Sequence, residues 1–189
     1  MGLGTWIALA VVIVVVFYAI AIYNKLVRLR ALVKEGWSGI TVQLRRRADL
    51  VPNLVSTVEG YATHEREVLT EVTAHRTDPT KASGVAATAQ ADQAFSGMLG
   101  RLMAVAEDYP DLKADENFRQ LQTELAEIEE ELQGARRYYN ATARDLNTGV
   151  QSFPDVLLAK PMGFSEEPYY ADDDASIQSA PAVRFGAKG

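Results

Sequence analysis

The chain has 189 residues, a net charge of −6 and no cysteine, which excludes disulfides, thiolate metal sites, a cysteine nucleophile and cysteine lipidation. The charge is asymmetric: residues 1–47 hold seven Lys/Arg and one acid, whereas residues 48–189 hold twelve basic and 24 acidic side chains. A basic collar ahead of an acidic body is not the basic working face of a nucleic-acid binder, and it suits a chain whose basic end meets an anionic membrane surface.

From Trp6 to Ile22 no side chain is charged or strongly polar, and the apolar stretch extends from Leu3 to Tyr23. A helix of about 20 residues spans the roughly 30 Å of bilayer hydrocarbon. Trp6 marks one end of the segment, and Tyr23 and Lys25 the other, where amphipathic rings and cations favour the interface. Residues 1–24 therefore read as a transmembrane anchor. The competing reading is a cleaved signal peptide, for which Ala19-Ile20-Ala21 has the right form. The positive charge that such a peptide carries ahead of its apolar run here follows it instead. Thr5 lies one position early for myristoylation of Gly2. Four Lys/Arg follow within about ten residues of Tyr23, so the positive-inside rule places the N-terminus outside and the remainder in the cytoplasm.

Beyond the anchor, Leu26, Leu29, Val33, Trp37, Ile40, Leu44, Ala48, Val51, Val55, Val58 and Ala62 recur in steps of three and four. That spacing is the apolar stripe of an amphipathic helix. It begins within a turn of the anchor, which suggests one continuous rod. Pro52 predicts a kink or short break, with Asp49 capping a new start. Gly36 and Gly39 each weaken the helix by roughly 1 kcal/mol relative to alanine. The pattern fades at Asp78-Pro79. A second helix is expected from 85 to 108, with Ala91, Phe95, Met98, Leu102 and Val105 or Ala106 inward, and with Gly97 and Gly100 permitting close approach of a neighbour. After a turn at 111–115, Asp115 is the expected N-cap of a third helix ending at Pro154. Its stripe runs Phe118, Leu121, Leu125, Ile128, Leu132, Ala135, Tyr139, Thr142, Leu146, Val150, Phe153. Long helices with short connections predict an all-α protein, an antiparallel bundle of three to four helices over residues 25–165. Residues 154–164 are expected to fold back over the bundle end, and the acidic residues 166–189 to form a disordered tail.

The densest polar cluster is Arg45, Arg46, Arg47, Asp49 and Asn53. It reads either as a docking surface for a partner or lipid headgroups, or as a salt-bridged helix face, with Arg45 and Asp49 paired at i, i+4. The second reading is preferred, because Arg45 stands some 33 Å along a straight helix from Tyr23. His64, Glu67 or Glu71, and His75 fall near one face, but HEREV at 64–68 is not the HExxH metal motif, and a solvated face is expected. Four acids at Glu127, Glu129, Glu130 and Glu131 point in all directions and read as a solvated run. Of Tyr138 and Tyr139, only Tyr139 lies on the stripe. No phosphate loop, nucleophile elbow or catalytic triad pattern is present, so neither catalysis nor a cofactor or metal is expected.

The strings YNKLV at 23–27, WSGI at 37–40, VQLRRRADLVPNLV at 42–55, GYATHE at 60–65, LMAVAEDYPDLK at 102–113, ENF at 116–118, LQTEL at 121–125 and ARRYYN at 135–140, with Phe153-Pro154 and Gly163-Phe164, resemble the LemA family over residues 20–165. The chain departs from the usual family pattern at Asp145-Leu146-Asn147, which replaces a more common Tyr-Asn pair. The resemblance implies an N-terminal helix in a bacterial inner membrane, a cytoplasmic bundle, and a family without a settled biochemical activity. It also brings a relative used in building magnetosome membranes. Two functions stand open: a self-associating scaffold that organises membrane or membrane proteins, and an adaptor that recruits another membrane protein such as a protease.

Overall fold

The computed structural model describes residues 2–61 and 79–170. Helix α1 covers Leu3–Glu59, α2 Val85–Glu107, α3 Pro110–Ala114, α4 Glu116–Gln151 and α5 Val156–Ala159, with a 3-10 turn at Pro79–Lys81. Among the described residues there is no strand, as the uninterrupted 3.6-residue periodicity requires. The face at His64–His75, expected to be solvated, lies outside the described residues.

The first helix is a single rod of 57 residues, about 85 Å long. It passes through Pro52 without interruption, and Asp49 caps nothing. The proline removes one backbone bond, but Val51, Leu54, Val55 and Val58 are all buried around it. Their packing holds the helix across the missing donor, which is why the expected break does not form.

Helices α1 and α4 lie side by side and antiparallel. Leu26 meets Gly149, Gly36 meets Tyr139, Arg46 meets Glu131, and Tyr61 meets Asp115. Contact is close where a glycine removes the side chain. A Cβ on Gly36 would stand 3.0 Å from the Tyr139 Cα, and one on Gly149 would stand 3.2 Å from Leu29 Cδ1. The glycines expected to admit a neighbour, Gly97 and Gly100, have nothing within 4 Å of a built Cβ and face outward.

Asp115 caps α4 as expected: its Oδ1 accepts from the Phe118 backbone N–H at 2.9 Å. That bond holds its carboxyl below the usual range, and burial opposes the shift. The helix ends at Gln151, and Ser152 turns extended. Phe153, read as the last stripe residue, is thereby swung out of the helix and stands 81% exposed.

The apolar interior falls into two clusters. The first holds Ile22, Leu26, Val33, Ile40 and Leu44 of α1 with Leu132, Tyr139, Ala143, Leu146 and Val150 of α4, closed by Ala159, Phe164 and Tyr170. The second holds Val51, Leu54, Val55 and Val58 with Phe95, Met98, Leu99, Leu102 and Ala106 of α2, and Leu112 and Phe118. The bundle core thus begins at Ile22, inside the stretch read as anchor. No linker separates the exposed apolar segment from the packed rod.

Candidate functional site

Between the two clusters lies a buried charged group. Asp92 of α2 is 1% exposed. Its Oδ1 accepts from Arg47 Nη1 of α1 at 3.1 Å, and its Oδ2 accepts from Arg136 Nη2 of α4 and from the Tyr170 hydroxyl at 2.6 Å. Glu129 completes the cluster, 3.3 Å from Arg47 Nη2 and 3.9 Å from Arg136 Nη1. The guanidinium of Arg47 also lies 5.5 Å from the Phe95 ring centre, and that of Arg136 lies 5.3 Å from the Tyr170 ring centre. Three helices and the C-terminal segment therefore converge on one carboxylate. Burial acts to lower the Arg136 pKa, but Asp92 outweighs it and the net shift is upward.

The C-terminal segment reaches the hub by a repeated device. Asn147 and Asn140 sit two turns apart on α4. Asn147 donates to the Glu167 carbonyl at 2.9 Å and accepts the Glu167 N–H at 2.8 Å. Asn140 does the same for Tyr170, at 3.0 and 2.8 Å. The Tyr139 hydroxyl donates to the Pro168 carbonyl at 2.8 Å. Residues 166–170, expected to begin a disordered tail, are instead an extended strap held by two side-chain amides that mimic a neighbouring backbone. Residues 171–189 lie outside the described residues. Burial under this strap, with Glu167 nearby, pushes the Tyr139 phenol up to about 12. Burial and the bond to Asp92 also raise Tyr170.

The arginine cluster read from sequence is divided by this geometry. Arg47 is buried in the hub. Arg45, Asp49 and Asn53 are exposed, and no ion pair joins Arg45 to Asp49 among the described residues. Arg46 reaches outward across the helix pair to Glu131 at 2.8 Å, with both side chains half exposed. The acidic run at 127–131 is accordingly only in part solvated, since Glu129 and Glu131 are drawn back to α1. Sequence reading missed Asp92, Arg136, Asn140, Asn147 and Tyr170. Their signal was present: Thr88, Asp92, Phe95, Leu99, Leu102 and Ala106 repeat in steps of three and four, so an acid occupies a core position.

The anchor markers lie at the ends of the exposed apolar segment. Trp6 is 61% and Tyr23 44% exposed. Lys25 Nζ bonds Asp155 Oδ2 at 2.7 Å, and Tyr23 stands edge-on to Phe164 with ring centres 5.8 Å apart. The apolar segment of α1 is almost wholly exposed, only 6% of it being buried. A buried core helix is excluded by that exposure.

A helix long and apolar enough to cross a bilayer, left bare, and continued directly into a helical bundle defines a membrane-associated all-helical protein. Residues 36–185 match the LemA family, and the chain belongs to it. The chain is 27% identical to the magnetosome protein MamQ 2 of Paramagnetospirillum magneticum over 195 residues, covering 88% of this chain and 72% of that protein. It is 25% identical to the magnetosome protein MamQ of Magnetospirillum gryphiswaldense, covering 81% and 66%. Protein LemA of Metamycoplasma hominis is 30% identical, over 69% of this chain and 60% of that protein.

Proposed function

We propose that this protein is a non-catalytic, membrane-anchored scaffold that self-associates and organises membrane or membrane proteins. The observation that carries the reading is the continuity of α1: one helix is exposed and apolar to residue 21 and core-packed from Ile22 onward. With no hinge between them, span and bundle move as one body. Lateral contacts in the bilayer then set the register of neighbouring bundles. The charged groups inside the bundle support the same reading, because Asp92, Arg47 and Arg136 bind one another and tie helices together. Relatives named as magnetosome proteins add support, since that name attaches them to a cellular structure rather than to a reaction. The charge order around the span favours an inner-membrane protein with its N-terminus outside and its bundle in the cytoplasm.

The test is the mass of the full chain in lipid nanodiscs, measured by light scattering after subtraction of lipid. Self-association predicts multiples of the 20.7 kDa chain. A strict monomer at all protein concentrations overturns the scaffold reading, and capture of one distinct membrane protein by crosslinking in cells would then favour an adaptor. Because the native chain has no cysteine, single cysteines at Gly2 and Glu130 report topology without background. Labelling of the first from outside and of the second only after lysis is the expected pattern.

A further inference from the structure

Where α4 gives way to α5, two large apolar side chains point into solvent: Phe153 is 81% and Leu157 63% exposed. Singly exposed apolar residues are ordinary on protein surfaces. The position of this pair is not. The antiparallel register that sets Leu26 beside Gly149 carries Phe153 to the level of residues 22–24, where the bare segment of α1 ends. Three contacts fix the corner at that height. Asp155 holds Lys25, Phe164 packs on Tyr23, and the Arg30 guanidinium lies 4.7 Å over the Phe164 ring. Ala159 and Phe164 share a core cluster with Ile22. The apolar surface of residues 3–21 is therefore continued sideways by Phe153 and Leu157. Lys160 is exposed within the same corner, Lys25 is bonded to it, and Arg28 is exposed on α1 about one helical turn beyond Lys25.

We propose that the 152–164 corner is a second membrane contact, resting on the reading that residues 3–21 cross the bilayer. Its occupant is a lipid surface bearing anionic headgroups. Phe153 and Leu157 enter the boundary between headgroups and acyl chains, at the depth of about 5–10 Å where amphipathic elements lie. Arg28 and Lys160 keep their charged ends among the headgroup phosphates. A lone span leaves its bundle free to rotate about the helix axis and to tilt. A second contact, rigidly joined to the first through the Ile22 core, fixes both. One face of the rod is then always presented to neighbours.

The test uses the full chain in phosphatidylcholine–phosphatidylglycerol vesicles, with an environment-sensitive fluorophore on single cysteines at Phe153, Leu157, Val12 and Val42. All four native side chains are exposed, so circular dichroism should show an unchanged fold. Val42 lies about 28 Å along the helix from Tyr23 and reports water. Lipids carrying a nitroxide near the headgroup are expected to quench the 153 and 157 probes about twofold, because those probes lie at the interface, and to leave the 42 probe unaffected. Charge reversal at Arg28 and Lys160 to glutamate should weaken quenching at 157. If the Val12 probe is quenched by deep-chain nitroxides while 153 and 157 behave like 42, the span stands and the corner contact is overturned. A water-exposed Val12 probe overturns the spanning reading beneath it. Blue-shifted emission at 157 without lipid quenching means that protein, not lipid, covers the corner, and also overturns the proposal.

Discussion

Replacing Asp92 by alanine removes the one carboxylate on which Arg47, Arg136 and Tyr170 converge. The side chains of Arg47 and Arg136 are only 8% and 14% exposed, so neither guanidinium gains water when its partner goes. Breaking a buried pair by removing one member typically costs about 3–5 kcal/mol, because a buried charge is left uncompensated. Glu129 still faces both arginines and is 35% exposed, which sets the expectation at the lower end, about 3 kcal/mol. For a chain of this length that is a fall in Tm of about 6–12 °C, read by circular dichroism of the full chain in mild detergent. The combined replacement R47M/D92L/R136M/Y170F removes the buried charges and the hydroxyl bonded to them together, leaving Glu129, 35% exposed, to turn to water. It should return to within about 1 kcal/mol of the parent, since apolar groups of similar volume replace buried ion pairs at little cost. If D92A melts with the parent, the hub does not hold the helices. If the combined variant is as unstable as D92A, the loss comes from packing rather than from stranded charge.

Alanine at Asn140 removes both bonds to Tyr170 and should free the strap for proteolysis after residue 165, at a cost of about 2 kcal/mol for two net hydrogen bonds. The strap also makes stability alkali-sensitive. Tyr139 and Tyr170 ionise near 10 when unfolded but later when folded, so their contribution is complete below about pH 10 and is lost as pH rises towards about 12. Tyrosinate absorbance and strap cleavage should rise together in that window, and Y139F and Y170F should flatten the dependence. Gly36→Ala and Gly97→Ala should differ in sign. The first gains helix propensity but presses on the Tyr139 backbone and should lose about 1 kcal/mol or more. The second meets open space and should gain up to about 1 kcal/mol. Matched chemical-denaturation curves that move the same way would refute the close approach at Gly36.

Helix positions were legible because the period of apolar residues is a local property. The second helix was expected at 85–108 and forms at Val85–Glu107, and Asp115 announced its cap by side-chain chemistry alone. What escaped depends on partners distant in sequence. Pro52 reads as a break until four buried neighbours are seen to brace it. Phe153 continues the stripe on paper, yet the chain leaves the helix two residues earlier. Arg47 looks like part of an exposed basic run, and only the meeting with Asp92, 45 residues away, shows that it faces inward. The strap escaped for a different reason: composition argued for disorder over 166–189, whereas five of those residues are fixed by amides on a helix that composition does not take into account.

The most direct test of a span fused to its bundle is a nitroxide scan of the full chain in liposomes, one cysteine at a time from Leu3 to Leu44. Oxygen accessibility should be high from Leu3 to Ile20, with its maximum near the middle of that stretch. From Ile22 it should drop into a helical period with minima at Ile22, Leu26, Val33, Gly36 and Ile40, and without a mobile label between the two regimes. Labels at 11–17 that see aqueous nickel rather than oxygen, or a run of fast-tumbling labels at 21–25, would contradict it.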